Sequence, residues 1–358
     1  MAAITIVLPI YNAESFLDSC MEMLIAQDFK DFEIIAINDG SSDSSWELLS
    51  AWAQKEQRLR IFNQENKGAG ETRNFGLDAA QGEYIIFLDP DDTFKANLLS
   101  KLYTAAQNAQ ADIAICASAA YDLETKEIIR ADWALRKDLA PKHDPFAGKD
   151  AADDIFRIAI GWPWDKLIKR SFLLETGLRY PDIKNSEDGV LIFPALCLAQ
   201  RITLVTDILI HHTTNRSDSL SYLRKDNALC FYQALILVRH ILTEKGEYSV
   251  FERGFMNWAV DFCSWNINTA HPDDKREIYD FLVNKGIDEL GIFDHPESYY
   301  FKVADYNTIK CMTQYSFPEC LIIAELGNEV TTIKDSRPYR LGEAIAKPIR
   351  AFRNLLAR

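Results

Sequence analysis

The sequence predicts an α/β fold with a mostly parallel central sheet flanked by helices. Over the first 90 residues, apolar runs alternate with segments of helical periodicity, which is the pattern of repeated strand–helix units. The apolar runs are continuous, as in strands that are buried on both faces. Polar clusters follow the ends of three runs, where open α/β sheets bind their ligands.

Four strands and three helices account for most of this segment. Each predicted strand is a short apolar run, and each predicted helix repeats apolar residues every three or four positions. Ser41, Ser42 and Asp43 supply N-cap chemistry before the second helix. The strands are predicted at residues 4–10, 32–37, 59–63 and 84–88, and the helices at 14–27, 44–57 and 72–80.

The pattern is less regular beyond residue 110. Gly246 and Pro272 break a long helical segment, because neither residue suits a helix interior. The later elements are predicted as strands at 113–118 and 202–212, and as helices at 188–199 and across most of 225–285. We therefore divide the chain into an α/β domain over residues 1–220, a mainly helical region over 221–333 and a tail over 334–358.

The charge balance argues against one class of partner. The 358 residues include 39 Lys and Arg against 53 Asp and Glu, a formal net charge of −14. Nucleic acid is not the expected partner, since phosphate binding relies on Lys and Arg, but a divalent cation could bridge an anionic ligand to the protein. Seven scattered cysteines without a C-x-x-C pair favour reduced thiols in a cytoplasmic protein. The N-terminus lacks the charged region and cleavage site of a signal peptide.

The tail differs in charge from the rest of the chain. Residues 334–358 contain seven basic and two acidic residues, and apolar residues recur there every three or four positions. A basic helix with an apolar stripe is typical of segments that lie on an anionic membrane surface. The pattern thus favours a peripheral protein on the inner face of the plasma membrane. A helix packed on its own domain is the alternative.

Three carboxylates, Asp89, Asp91 and Asp92, directly follow the fourth predicted strand. Clustered carboxylates raise one another's pKa unless a cation lies among them. Their oxygens suit Mg²⁺ or Mn²⁺, which often share such ligands with phosphates. A turn with acidic residues at a helix N-cap is the alternative interpretation.

Other strand-end residues suit a nucleotide. Tyr11 could stack on a base, Asp39 could accept a hydrogen bond from a base or a ribose, and Lys67 and Arg73 could lie near a diphosphate. A dinucleotide-binding G-x-G-x-x-G sequence does not follow the first strand, and no Walker A sequence is present.

These segments together resemble the family 2 glycosyltransferases with the GT-A fold, of the type that builds bacterial cell-surface polysaccharides. The resemblance covers about residues 3–220. Two departures from the family pattern are Glu71-Thr72 in place of two small residues, and Pro90 within the acidic motif. The matching segments are IVLPIYN at 6–12, NDGSSD at 38–43, NKG at 66–68, TRNFG at 72–76, YIIFLDPDD at 84–92, WDKLIKR at 164–170 and SED at 186–188.

The resemblance implies a role for each matching residue. Asp39 would contact the nucleotide base, Asp89 and Asp91 would hold a Mn²⁺ or Mg²⁺ ion with the diphosphate, Asp92 would share that task, and Asp188 would be the catalytic base. The donor-binding residues implied are Pro9, Tyr11, Asn12, Asp39, Lys67, Arg73 and Asp89. The implied reaction moves a hexose from a nucleotide-diphosphate sugar, with UDP the expected nucleotide, to a hydroxyl of a surface polysaccharide or lipid-linked glycan.

The expected chemistry is a single displacement. A carboxylate within hydrogen-bond reach, here Asp188 with Glu187 beside it, would remove the proton of the acceptor hydroxyl as the bond forms, and the anomeric carbon would invert. On spacing alone, Glu187 and Asp188 are better explained as acids at a helix N-terminus, and it is the resemblance that favours the catalytic interpretation. Trp162, Trp164, His212 and Arg216 are further candidates for contacts to the acceptor or for a lid, with core packing as the alternative for the aromatic residues.

Two other functions fit parts of the pattern. A nucleotidyltransferase acting on sugar phosphates shares the strand-end acids, but it should carry a basic, glycine-rich loop after the first strand, which is missing. A non-catalytic nucleotide-sugar-binding module would be expected to lose Asp91 or Asp188, and both are present.

Overall fold

The computed structural model describes residues 2–214, 227–320 and 322. The predictions for Arg216 and for the tail at 334–358 lie outside these residues. Among the described residues, nine strands form one sheet with helices on both faces. Its strands are β1 (Ile4–Ile10), β2 (Phe32–Asp39), β3 (Leu59–Gln64), β4 (Tyr84–Phe87), β5 (Thr93–Phe94), β6 (Ile113–Asp122), β7 (Ile128–Arg130), β8 (Lys166–Lys169) and β9 (Ile202–Thr214).

The first half of the sheet is parallel. β1 lies between β2 and β4, and β2 pairs with β3 on its other side, which gives the order β3-β2-β1-β4. The connecting helices are α1 (Glu14–Ile25), α2 (Ser45–Ala53) and α3 (Ala69–Ala79). The four strands predicted from continuous apolar runs are therefore confirmed, and their carboxyl ends meet at one edge.

The second half of the sheet is mixed, so the expected parallel arrangement holds only for part of it. β8 lies antiparallel between β4 and β6, β9 runs parallel to β6, and the short strands β5 and β7 pair antiparallel with β9 and β6. The chain reaches β8 through a long irregular connection rather than a helical crossover, so nothing requires that strand to run parallel. The helices of this part are α4 (Leu98–Ala109), α5 (Ile155–Ile158), α6 (Arg170–Thr176) and α7 (Glu187–Leu198).

Two apolar cores lie on opposite faces of the sheet. Side chains of β1 alternate between them: Leu8 packs with helices α1, α2 and α4, whereas Val7 packs with α3 and α7. Because both faces are covered, every residue of β2 is buried. This arrangement explains why the sequences of these strands are continuous apolar runs rather than alternating apolar and polar residues.

The C-terminal part of the chain is helical, as predicted, and its helices extend the core that contains α7. Gly246, with φ of +71°, separates α8 from α9, and Pro272 begins α10. No helix among the described residues is long and apolar enough to cross a membrane. The helices are α8 (Cys230–Glu244), α9 (Tyr248–Thr269), α10 (Pro272–Phe281), α11 (Ile287–Leu290) and α12 (Val303–Gln314).

Gly76 lets α3 lie directly on β1. A Cβ atom at this position would lie 2.3 Å from Val7 Cγ1, far inside van der Waals contact. We expect Gly76→Ala to lower the free energy of unfolding by about 1–3 kcal/mol through overpacking, measured by urea denaturation. Gly189→Ala is the matched control, because its Cβ would find its nearest neighbour at 3.5 Å and alanine favours helices. Equal stability of Gly76→Ala and the parent chain would contradict this packing.

Candidate active site

The predicted site residues of the first 92 positions lie around the carboxyl edge of β1, β2 and β4. Two loops from β1 and β2 are tied together there. Asn12, in the left-handed region with φ of +48°, accepts a hydrogen bond from the Ser42 backbone N–H at 2.8 Å, and its own N–H donates to Ser41 Oγ at 3.0 Å. Tyr11 is 55% exposed beside this junction and Pro9 is half-buried within β1. The Tyr11 ring is thus available to stack on a flat ligand.

Asp39 ends β2 and fixes the loop that precedes α3. Its Oδ1 accepts hydrogen bonds from Gln64 Nε2 and the Lys67 N–H, both at 2.8 Å, and its Oδ2 accepts from the Gly68 N–H at 2.9 Å. Gly68 has φ of +88°, which favours glycine at the start of the helix. The Lys67 side chain remains exposed. A buried carboxylate held in this way keeps lone pairs for a ligand N–H while it shapes the loop.

Arg73 of α3 lies at the centre of three carboxylates. Its Nη1 lies 3.0 Å from Asp188 and 3.3 Å from Glu187, and its Nη2 lies 2.8 Å from Asp89. The guanidinium also lies over the Tyr180 ring, 5.5 Å from its centroid. The sequence predicted Arg73 near a diphosphate; the structure buries it and pairs it with Asp89 in the loop after β4 and with the two acids that begin α7. Burial opposes its charge, but Asp188 and Asp89 outweigh burial and hold the pKa of Arg73 above its ordinary value.

Asp188 begins α7 together with Glu187. The turn is formed by Ser186 in the left-handed region, with φ of +66°, and the helix N-terminus favours negative charge. Burial raises the pKa of Asp188 to about 8, with Glu187 adding to the rise and Arg73 opposing it. A carboxylate whose pKa lies near neutrality is well suited to accept a proton.

The three aspartates after β4 differ in their surroundings. Asp89 pairs with Arg73, and Asp91 is half-buried. Asp92 is buried, and its Oδ1 lies 2.9 Å from His212 Nδ1 and accepts from the Thr213 N–H at 3.0 Å. Its Oδ2 has no hydrogen-bond partner within the described residues. Asp92 therefore joins the acidic loop to β9 rather than pointing freely toward a ligand.

Carboxylate oxygens at this loop fit a hard divalent cation. Within the part of the chain that the structure describes, no three His, Cys, Asp or Glu side chains converge on one metal position. Mg²⁺ is often held by only one or two carboxylates together with substrate phosphates and water. Asp91 and Oδ2 of Asp89 are the carboxylate oxygens that fit such a role, whereas Oδ1 of Asp92 is already engaged.

The aromatic candidates form one stack beside Asp92. Trp164 is only 2% exposed and stacks on His212 with ring centroids 5.2 Å apart, so core packing explains it. Trp162 is less buried and lies 4.9 Å from Trp164 and 5.1 Å from His212. His212 is oriented by Asp92, and Trp162 is the member of the predicted pair that faces the surface.

Asp165 and Lys166 of the same segment are fully buried. Lys166 Nζ lies 2.6 Å from Asp165 Oδ1 and donates to the carbonyl oxygens of Ile160 and Trp162 at 2.9 and 2.8 Å. This ammonium group therefore fixes the backbone of the loop that carries Trp162.

Several residues that build the site were not predicted. Tyr180 lies under Arg73, Gln64 holds Asp39, and Thr213 binds the acidic loop. Tyr180 lies in an irregular stretch without periodicity, and its partner is more than 100 positions away in the chain. No local sequence signal identifies contacts of this kind.

Comparisons with known proteins agree with this architecture. Residues 5–173 match the model of glycosyl transferase family 2. The chain is 29% identical over 295 residues to the putative glycosyltransferase EpsH of Bacillus subtilis, covering 80% of this chain and 82% of that protein. It is 29% identical over 240 residues to the poly(ribitol-phosphate) beta-glucosyltransferase of Bacillus spizizenii, covering 65% of this chain and 35% of that protein.

A solved structure is similar over most of the chain. The S. aureus TarS fragment 1–349, crystallised with UDP-GlcNAc, superposes with a TM-score of 0.64 at 17% identity and covers 88% of this chain and 92% of the fragment. At that identity the likeness concerns the fold. With the family match, the mixed sheet and the acidic loop at its carboxyl edge, residues 5–173 form a glycosyl transferase family 2 domain, and the fold is GT-A.

Proposed function

We propose that this glycosyltransferase is an inverting, metal-dependent enzyme that moves a hexose from a UDP-sugar to a hydroxyl of a surface polysaccharide or lipid-linked glycan. The observation that carries the proposal is the ion-pair cluster in which Arg73 joins Asp89 to Asp188. The Arg73 guanidinium thereby holds two carboxylates side by side. Asp89 is suited to the donor's metal–diphosphate group, and Asp188 is suited to be the base.

The names of similar proteins support the choice of substrates. TarS was crystallised with UDP-GlcNAc, which supports a UDP-sugar donor. The relative from Bacillus spizizenii is named as a glucosyltransferase acting on poly(ribitol-phosphate), which supports hexose transfer to a cell-surface polymer. For the location we propose the cytoplasmic face of the plasma membrane, on the charge pattern of residues 334–358 alone.

The base is the first element of the mechanism. Asp188 accepts the proton of the acceptor hydroxyl as that oxygen attacks the anomeric carbon, and the bond to the diphosphate oxygen breaks in the same step. Attack from the face opposite the leaving group inverts the anomeric carbon. Arg73 orients Asp188 for this role and keeps it near Asp89.

The donor side is the second element. Asp91 and Asp89 would hold a Mn²⁺ or Mg²⁺ ion, which when bound neutralises charge on the leaving diphosphate. Tyr11 and Asp39 lie where the base of the nucleotide would be recognised, and Asp39 also fixes the loop of Lys67 and Gly68. Glu71, the unexpected acidic residue, is exposed on the first turn of α3, where water screens its charge.

The direct test is incubation of the full chain with UDP- and GDP-sugars in the presence of Mn²⁺. We expect UDP to be released from at least one UDP-sugar, and excess EDTA to abolish the release. Mass spectrometry of the products distinguishes the alternatives, since a nucleotidyltransferase would leave the UDP-sugars intact until pyrophosphate is added, and would then form UTP and a sugar 1-phosphate. The absence of nucleoside diphosphate from every donor would contradict the proposal.

A further inference from the structure

We propose that Trp133 and Trp162 form a saccharide subsite, which binds an acceptor sugar beyond the one that reacts. The inference rests on the proposed transfer to a glycan and names a residue, Trp133, that the sequence pattern does not single out. Trp133 follows β7 and is 56% exposed, which is uncommon for so large an aromatic side chain.

The Trp133 ring is connected to the site through direct aromatic contacts. It packs edge-on against Trp162 at 5.5 Å, and Trp162 in turn lies 5.1 Å from His212. His212 is the partner of Asp92 in the acidic loop. The exposed ring thus forms the outer end of an aromatic wall that begins at the acidic loop.

The same wall borders the proposed base. A Cβ atom on Gly161, next to Trp162, would lie 3.1 Å from the Cα atom of Gly189, the residue after Asp188. The loop with Trp162 therefore touches the first turn of α7. When an acceptor hydroxyl reaches Asp188, the rest of the acceptor can extend along the loop of Trp162. That loop presents an aromatic surface to it.

Buried contacts hold the wall in place before any ligand binds. The Ile160 N–H donates to the Ala134 carbonyl at 3.1 Å, which ties the segment of Trp133 to the loop of Trp162. Lys166 Nζ holds the carbonyls of Ile160 and Trp162 from beneath. A rigid support of this kind reduces the entropy lost when a ligand is ordered on the rings.

The chemistry of the Trp133 surface favours a sugar as its ligand. The face of an indole ring is electron-rich and attracts the positively polarised C–H groups on one face of a pyranose. Arg130 and Asp132, close to Trp133 in the chain, form an exposed ion pair at 3.0 Å. Their charged groups offer hydrogen-bond partners for sugar hydroxyls. Two ring-to-ring steps separate Trp133 from His212, so a sugar on Trp133 lies outside the reacting position.

A lipid chain is the competing occupant of this surface. Ile128 and Ile129 are also exposed on the neighbouring strand β7, and an apolar anchor would use them together with Trp133. We favour the saccharide because Trp133 is joined to the site through Trp162, whereas β7 is paired only to β6 in the part of the chain that the structure describes.

The test compares binding of sugars of different length. Methyl glycosides of glucose, galactose and N-acetylglucosamine and their β-linked trisaccharides are titrated into the full chain and followed by saturation-transfer NMR. We expect at least one trisaccharide to bind more tightly than its monosaccharide, and Trp133→Ala to reduce that preference about tenfold. Trp133→Tyr should retain most of the preference, because an aromatic face is preserved.

Ile129→Ser is the matched control, since it removes an exposed apolar side chain from the adjacent strand. It should leave the preference for the trisaccharide unchanged. Three results would overturn the proposal: a preference that survives in Trp133→Ala, no preference for any trisaccharide in the parent chain, or an equal loss in Ile129→Ser, which would show that the preference does not depend specifically on the Trp133 ring. Binding requires no turnover, so failure of every donor to release nucleoside diphosphate would contradict the proposed function without deciding this test.

Discussion

Replacement of Asp188 by Asn is expected to lower kcat by a factor of about 10² to 10⁴, while the dissociation constant of the donor changes little. The amide has the shape of the carboxylate but cannot accept the proton of the acceptor hydroxyl. Transfer of labelled hexose measures the loss, and calorimetric titration with the donor in the absence of acceptor measures binding.

The pH dependence provides a second measure of the same role. Burial raises the pKa of Asp188 to about 8, and the base is active only when deprotonated. Activity should therefore be present above this pKa and decline as the pH falls through it, well above the range near 4 of an ordinary aspartate. Asp182→Asn, an exposed carboxylate in the preceding segment, should leave both rate and pH profile unchanged. Full turnover of Asp188→Asn would contradict the assignment.

Replacement of Arg73 by Met is expected to reduce the free energy of unfolding by about 3–5 kcal/mol. The side chain is buried, and its removal leaves Asp89, Glu187 and Asp188 close together without a compensating charge. Activity should fall as well, because the base loses its orienting partner. Urea denaturation above pH 8, where Asp188 is ionised, measures the stability.

Two further variants make this prediction specific. Arg179→Met removes the same side chain from an exposed pair with Asp78 and should cost at most about 1 kcal/mol. Combining Arg73→Met with Asp188→Asn should cost less than the sum of the single changes, since one of the unpaired charges is removed. The loss of unfolding free energy in Arg73→Met should also become smaller at low pH, because the carboxylates become neutral. Strict additivity, or a deficit that is independent of pH, would show that packing rather than charge holds this cluster together.

Much of the donor half of the site follows from sequence pattern. Continuous apolar runs identify the parallel strands, and their carboxyl ends necessarily meet at one edge, which brings Asp39 and Asp89 to the same side of the sheet. The sequence therefore placed Asp39 and Asp89 correctly in space. Their expected roles in binding stay predictions.

The other half depends on contacts that no local pattern encodes. Arg73 and Asp188 are 115 positions apart, and Asp92 and His212 are 120 apart. The direction of β8 depends on the route of an irregular connection, which hydrophobic periodicity does not determine. The sequence shows the charge of Arg73 but not the three acids that enclose it, and its place beside the diphosphate stays a prediction.

The buried ammonium of Lys166 has a consequence for how acceptor preference can change. It holds the loop of Trp162 through backbone carbonyl groups, so the shape of that loop does not depend on which side chains the loop displays. Side chains at positions 133 and 162 can then be exchanged while the framework beneath them is kept. We expect a library of variants at position 133 to alter the proposed acceptor preference, whereas changes at position 162 also reach His212 and the acidic loop.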